Sequence, residues 1–154
     1  MDRVKLLAIA VRSGKIGHVF LIDKRLRDWD LSRKASKSPV HAAEYAQQLI
    51  NKLEPTLLVS ERLDPNSRKS AASKQNIRAI AGVGEHNYLL DVSVPRKQAE
   101  TNKVAEAREL AGRFPEIRSW VPRPRRLWET EPRYLTVFEA LGLAVQVIDQ
   151  PDGQ

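Results

Sequence analysis

The sequence predicts an α/β domain built on a mixed sheet with helices on its faces. Three observations predict it. Apolar, β-rich runs open the chain and are separated only by short turns, which reads as antiparallel pairing. From residue 38 onward, helical periodicity alternates with short apolar runs, which reads as parallel strands joined by helices. The 154 residues are 42% hydrophobic and 29% charged, enough to bury one core.

The elements follow in order. Val4 to Val11 and Ile16 to Ile22 flank Arg12-Ser13-Gly14-Lys15 and form a hairpin. Arg25 to Leu31 alternates loosely and makes a third, more exposed strand. Ser38 can cap a helix with Pro39 at its first position; Val40, Ala43, Ala46, Leu49, Ile50 and Leu53 then recur at helical spacing until Pro55. Thr56 to Ser60 is a short buried strand, with Glu61 directly at its carboxyl end. A weaker helix covers Ser70 to Ala81, a turn Gly82 to Asn87, and a strand Tyr88 to Val94. Gln98 to Phe114 is helical, Pro115 to Pro132 reads as an extended loop with four prolines, and Pro132 to Ile148 is the last helix. One domain therefore covers residues 1–148, and residues 149–154 are expected to fray.

Composition narrows the function. With no cysteine, disulfides, thiolate catalysis and Cys-ligated zinc are excluded, and a reducing, cytoplasmic location is expected. No apolar run approaches the roughly 20 residues of a membrane span, and Met1 to Val11 is too short and too charged for a signal peptide. Lys plus Arg number 26 against 19 Asp plus Glu, a net charge of +7 that suits a polyanionic partner or a merely solvated basic surface. The surplus concentrates in Arg12 to Lys37, Glu61 to Ile80 and Arg113 to Arg133.

Four segments carry a resemblance. Leu6 to Ala10, the turn Val11 to Lys15 and Ile16-Gly17-His18-Val19 are similar to a first strand ending in Asp, a Pro-Gly-type turn and a Thr-Gly-Tyr-like second strand. Leu57-Leu58-Val59-Ser60-Glu61 is similar to a strand ending in a catalytic Glu. Val92 to Gln98 is similar to a strand–Pro–basic segment before a helix, and Tyr134 to Ala144, YLTVFEALGLA, resembles a final helix with two acidic residues three apart. In this order, from about Val4 to about Ile148, they resemble the RuvC-like Holliday junction resolvases of the RNase H-like superfamily.

That resemblance implies an RNase H-like mixed sheet, three antiparallel strands and then parallel ones, and a structure-selective endonuclease acting on branched DNA. It also implies a homodimer and two Mg²⁺ or Mn²⁺ ions, about 4 Å apart, held by carboxylates. Glu61 and Glu139 match acidic positions and are the candidate catalytic and metal-holding residues, with Asp91 a candidate third. Ala10 stands where the family has its first-strand Asp, and Thr136 where the final helix has its first acidic residue. Two carboxylates seldom suffice for two hard cations. A non-catalytic binding or scaffold module of the same fold is therefore the rival reading.

Each candidate also has an ordinary structural explanation. Glu61 can pair with Arg62 or a nearby basic residue, and Glu139 can face water at the edge of an apolar stripe. His18, His41 and His86 show no metal spacing, and Ser13-Gly14-Lys15 lacks the full phosphate-loop pattern. The candidate nucleic-acid contacts are Arg12 and Lys15 at the hairpin and Arg118, Arg123, Arg125, Arg126 and Arg133 around the proline loop, with Trp120 as a stacking surface. Against this, the tryptophans can cover the core edge while the arginines pair with Glu129 and Glu131. An arginine–proline loop that binds an acidic protein is a third function class.

Overall fold

The computed structural model describes residues 3–95, 103–122 and 134–150. Strands β1 (Lys5–Arg12), β2 (Lys15–Ile22) and β3 (Arg25–Ser32) form an antiparallel meander. Strands β4 (Leu57–Glu61) and β5 (Leu90–Val94) then add in parallel on the other side of β1, giving the order β3-β2-β1-β4-β5. This is the mixed sheet expected from the sequence, with β1 at its centre.

Strand alternation sends side chains to two opposite cores. Leu6, Ala8 and Ala10 of β1 and Leu57 and Val59 of β4 face helices α3 (Lys103–Arg113) and α4 (Leu135–Ile148). Leu7, Ile9 and Val11 of β1 and Leu58 of β4 face α1 (Pro39–Leu53) and α2 (Ala71–His86). β1 is buried on both sides, which is why it reads as a continuous apolar run. No helix of the described residues is long and apolar enough to cross a membrane.

Helix α1 starts as the sequence predicts: Pro39 is its first residue, and the Ser38 hydroxyl accepts from the His41 backbone N–H. Helix α2 corrects the expectation. It does not stop at Ala81 but runs to His86, through Gly82 and Gly84. Gly84 is a packing residue and not a turn residue: a Cβ there would lie 2.5 Å from the Leu58 side chain on β4. The reversal into β5 comes later, at Tyr88, whose φ is 58°.

The segment after α3 also differs from the expected extended loop. Pro115–Trp120 winds into a 3₁₀ helix that buries Ile117 in the core. At the other end, Asp149 and Gln150 stay hydrogen-bonded to α4, and Asp149 makes a two-pronged ion pair with Arg113, at 2.6 and 2.9 Å.

Candidate functional site at the ends of β1 and β4

In open α/β sheets, ligand sites form beyond the carboxyl ends of parallel strands, where adjacent chains diverge. Here β1 and β4 stay in register as far as Ala8 and Val59 and then part. The Lys5 carbonyl accepts from Thr56, so the odd-numbered carbonyls of β1 point toward β4. Beyond the ladder, the Val11 carbonyl has no strand partner on that side. Lys69, from the loop before α2, fills the gap: its Nζ donates to the Val11 carbonyl at 2.7 Å and stands 3.6 Å from Glu61 Oε1.

Glu61 is the last residue of β4 and nearly buried. Its parity with Leu57 and Val59 places it on the α4 face of the sheet. A carboxylate so placed is costly to desolvate alone, and the Lys69 ammonium offsets that cost. On the same face, Arg12 at the end of β1 forms an ion pair with Glu139 on α4, with only 15% and 12% of the two side chains exposed. Arg12 also lines the cleft that holds Glu61 and Lys69. The two glutamates therefore come to one end and one face of the sheet, and each meets a cation.

Between them, the fold closes tightly. Ala10 is fully buried and pairs across the hairpin with Gly17. The first turn of α4 lies on Gly17: a Cβ there would stand 3.0 Å from backbone atoms of Thr136 and Val137. Thr136 is fully buried, and its hydroxyl has no hydrogen-bond partner among the described residues. Ala10 and Thr136 thus occupy the junction of β1, β2 and α4, and neither carries charge.

Asp91 does not join this group, which corrects its expected role. Its register partner is Leu58, and its neighbours Val92 and Val94 face the α4 side, so alternation turns Asp91 toward α2. Burial and the nearby Glu85 charge push its carboxyl above the usual range, opposed by Ser60. Among the described residues, no group of three or more His, Asp and Glu side chains gathers as metal ligands. Two hard divalent cations need a mostly oxygen, mostly anionic shell. Alanine and threonine at two positions, with a cation on each remaining carboxylate, do not fit such a centre.

The basic candidates separate. Arg12 lines an open cleft of about 610 Å³ together with Arg62, Arg68 and Lys69, and with Ser67, Ser70 and Ser73 near the start of α2. Arg68 and Lys69 lie in a polar loop with no motif, and the sequence offers Arg62 only as a pairing partner of Glu61. The signal was the basic surplus that begins directly after Glu61. Lys15 ends the hairpin opposite Arg12. Arg118 is exposed on the 3₁₀ helix and does not line the cleft. Trp120 is half-buried against the core: it meets Trp29 edge-on at 6.3 Å and lies 4.4 Å from the Tyr134 ring. Arg123, Arg125, Arg126, Trp128 and Arg133 lie outside the described residues.

A second polar cluster lies on the α1 face. His18, buried in β2, bridges Tyr45 of α1 and Asp28 of β3, at 2.7 Å on each ring nitrogen. A carboxylate only accepts, so Nε2 carries the proton toward Asp28 and Nδ1 accepts from the Tyr45 hydroxyl. Burial holds the His18 pKa below its ordinary value, and burial raises that of Tyr45. Both groups stay neutral near pH 7 and tie α1 to the sheet.

No family profile and no curated protein sequence matches the chain. Solved structures do. A complex of Thermus thermophilus RuvC with a Holliday junction substrate superposes with a TM-score of 0.62 at 12% identity, covering 94% of this chain and 95% of that one. The fowlpox virus resolvase in complex with Holliday junction DNA gives 0.60 at 10% identity, with 95% and 97% covered. The yeast mitochondrial Holliday junction resolvase Ydc2 gives 0.59 at 13% identity, with 92% and 76% covered. The fold is thus that of the RuvC-type resolvases, an RNase H-like mixed sheet flanked by helices.

Proposed function

We propose that this domain binds branched or duplex DNA at the carboxyl ends of β1 and β4 and does not cleave it by metal-assisted hydrolysis. The observation that carries this reading is the cleft itself. Arg12, Arg62, Arg68 and Lys69 converge on one opening, against Glu61 and Asp64. A phosphate backbone is drawn to such a surface, and the serines add neutral donors. The likeness to two resolvases solved with Holliday junctions supports a branched ligand. The homodimer implied by the resemblance belongs to the same reading, since two copies of one cleft match the two-fold symmetry of a four-way junction.

The expectation of no hydrolysis rests on the donor set among the described residues. Metal-assisted phosphodiester cleavage needs carboxylates free to clamp two ions. Ala10 and Thr136 supply none, and Glu61 and Glu139 face Lys69 and Arg12. The test is a gel-shift and cleavage assay with labelled four-way junction, duplex and single strands, with and without Mg²⁺ or Mn²⁺. The expected result is retention of the junction without new cuts. Metal-dependent nicking at the crossover, or equal indifference to all three ligands, rejects the reading.

A further inference from the structure

At the opening between β1 and β4, cations sit beside the two carboxylates that the resemblance would give to metal ions. Lys69 reaches from the loop to the Val11 carbonyl, one residue beyond Ala10, and faces Glu61. Arg12 reaches across the same face to Glu139. We propose that the Lys69 ammonium, supported by Arg12, is a built-in replacement for the divalent cation. It holds a backbone phosphate in the cleft through side-chain charge, so binding needs neither Mg²⁺ nor Mn²⁺. This rests on the nucleic-acid reading above and goes beyond it by naming the phosphate-holding group and its independence of metal.

Valence and charge support the assignment. An ammonium has three donors. One goes to Val11 and a second is drawn to Glu61, which leaves the third for a phosphate oxygen in the cleft. Without Lys69, the Glu61 carboxylate would repel that phosphate. With it, the pair is close to neutral and Arg62 and Arg68 leave the cleft basic. Ala10 completes the exchange. The closure of α4 over Gly17 leaves an uncharged small residue buried at the junction, where a carboxylate would demand a further cation. A tethered ammonium cannot be chelated away, whereas a bound divalent ion can.

Two measurements on the intact chain test this, Mn²⁺ calorimetry and four-way-junction affinity in EDTA and in Mg²⁺ at matched ionic strength. The wild type should show no saturable Mn²⁺ heat and the same junction affinity in both buffers. Lys69→Met keeps the aliphatic stem and should lose about tenfold in junction affinity, the worth of one strong charged contact, while Lys69→Arg keeps most of it. Ala10→Asp alone should gain little Mn²⁺ affinity, because Lys69 still holds Glu61. Ala10→Asp with Lys69→Met should bind Mn²⁺ at least about tenfold more tightly than Ala10→Asp alone, having regained hard oxygen ligands. Saturable Mn²⁺ binding by the wild type overturns the proposal. So does a junction affinity lost in EDTA, or a Lys69→Met protein that binds the junction as tightly as the wild type. If no form binds nucleic acid, the proposed function falls, and the Mn²⁺ comparison still decides whether Lys69 displaces the metal.

Discussion

Arg12, the last residue of β1, is ion-paired with Glu139 on α4, so the first strand and the closing helix are joined by charge across 127 positions of sequence. The pair is largely shielded, so removing one partner costs the other its ion-pair contact. Arg12→Met should destabilise the fold by roughly 2–3 kcal/mol, below the roughly 3–5 kcal/mol of a fully buried pair. Arg12→Met with Glu139→Leu should cost clearly less than the sum of the single changes. Urea denaturation of the four proteins gives the coupling, and strict additivity would show that the contact contributes nothing.

The contact of Gly17 with α4 gives a second prediction. A Cβ at residue 17 meets backbone of Thr136 and Val137 at 3.0 Å, and backbone cannot swing aside as a side-chain tip can. Gly17→Ala should cost roughly 1–3 kcal/mol by overpacking. Gly82→Ala is the control: that Cβ meets nothing within 4 Å on α2, so the change should stabilise by roughly 0.5–1 kcal/mol through helix propensity. Thermal melts that rank the two variants the other way would mean α4 does not sit on β2 as described.

The two glycines of α2 also mark what the sequence could reveal. The order of elements along the chain and the start of α1 are legible because they depend on local rules: short apolar runs broken by turns, the Ser38 cap and Pro39. Gly82 and Gly84 read locally as a turn, yet Gly84 answers to Leu58 on a different element. The site was legible in the same measure. Glu61 and Glu139 stand out in the sequence by their place in the element order, and Arg12 as a basic residue at a hairpin end. The cation on Glu61 is Lys69, eight residues on and not the adjacent Arg62, because the divergence of β1 from β4 brings the loop back to the strand end. The face that Asp91 takes stays open in the sequence, because it depends on register, and register is set by packing.

His18 gives a pH dependence whose sign can be fixed. Burial lowers its pKa from 6.5, with Lys52 acting in the same sense, against the Asp28 hydrogen bond and the charges of Asp28 and Asp30. The unfolded chain therefore takes up a proton at higher pH than the folded one. The contribution is complete above 6.5 and is lost as pH falls below that value toward the lowered folded pKa. Urea midpoints followed from about pH 8 to about pH 5 should fall on acidification, and His18→Gln should flatten that fall. A midpoint that rises on acidification contradicts the burial-dominated shift.

Salt dependence locates the nucleic-acid contact. Each phosphate neutralised on duplex DNA releases a counterion, so log affinity falls against log salt by about 0.9 per contact. Arg62 and Arg68 are exposed and line the cleft beside Lys69, so they can meet phosphates without supporting the core. Arg62→Ala with Arg68→Ala should leave stability within roughly 0.5 kcal/mol, as for other exposed positions. It should weaken binding of all sequences alike and flatten the salt slope by up to about 1.8, or two contacts. The parallel variant replaces Arg123, Arg125 and Arg126 with alanine. If the cleft is the principal contact, the cleft pair should lower affinity more per arginine removed than this triple change. A salt slope untouched by the cleft pair and flattened by the triple change would move the contact to the proline-rich segment, and the cleft would lose its place in the proposed function.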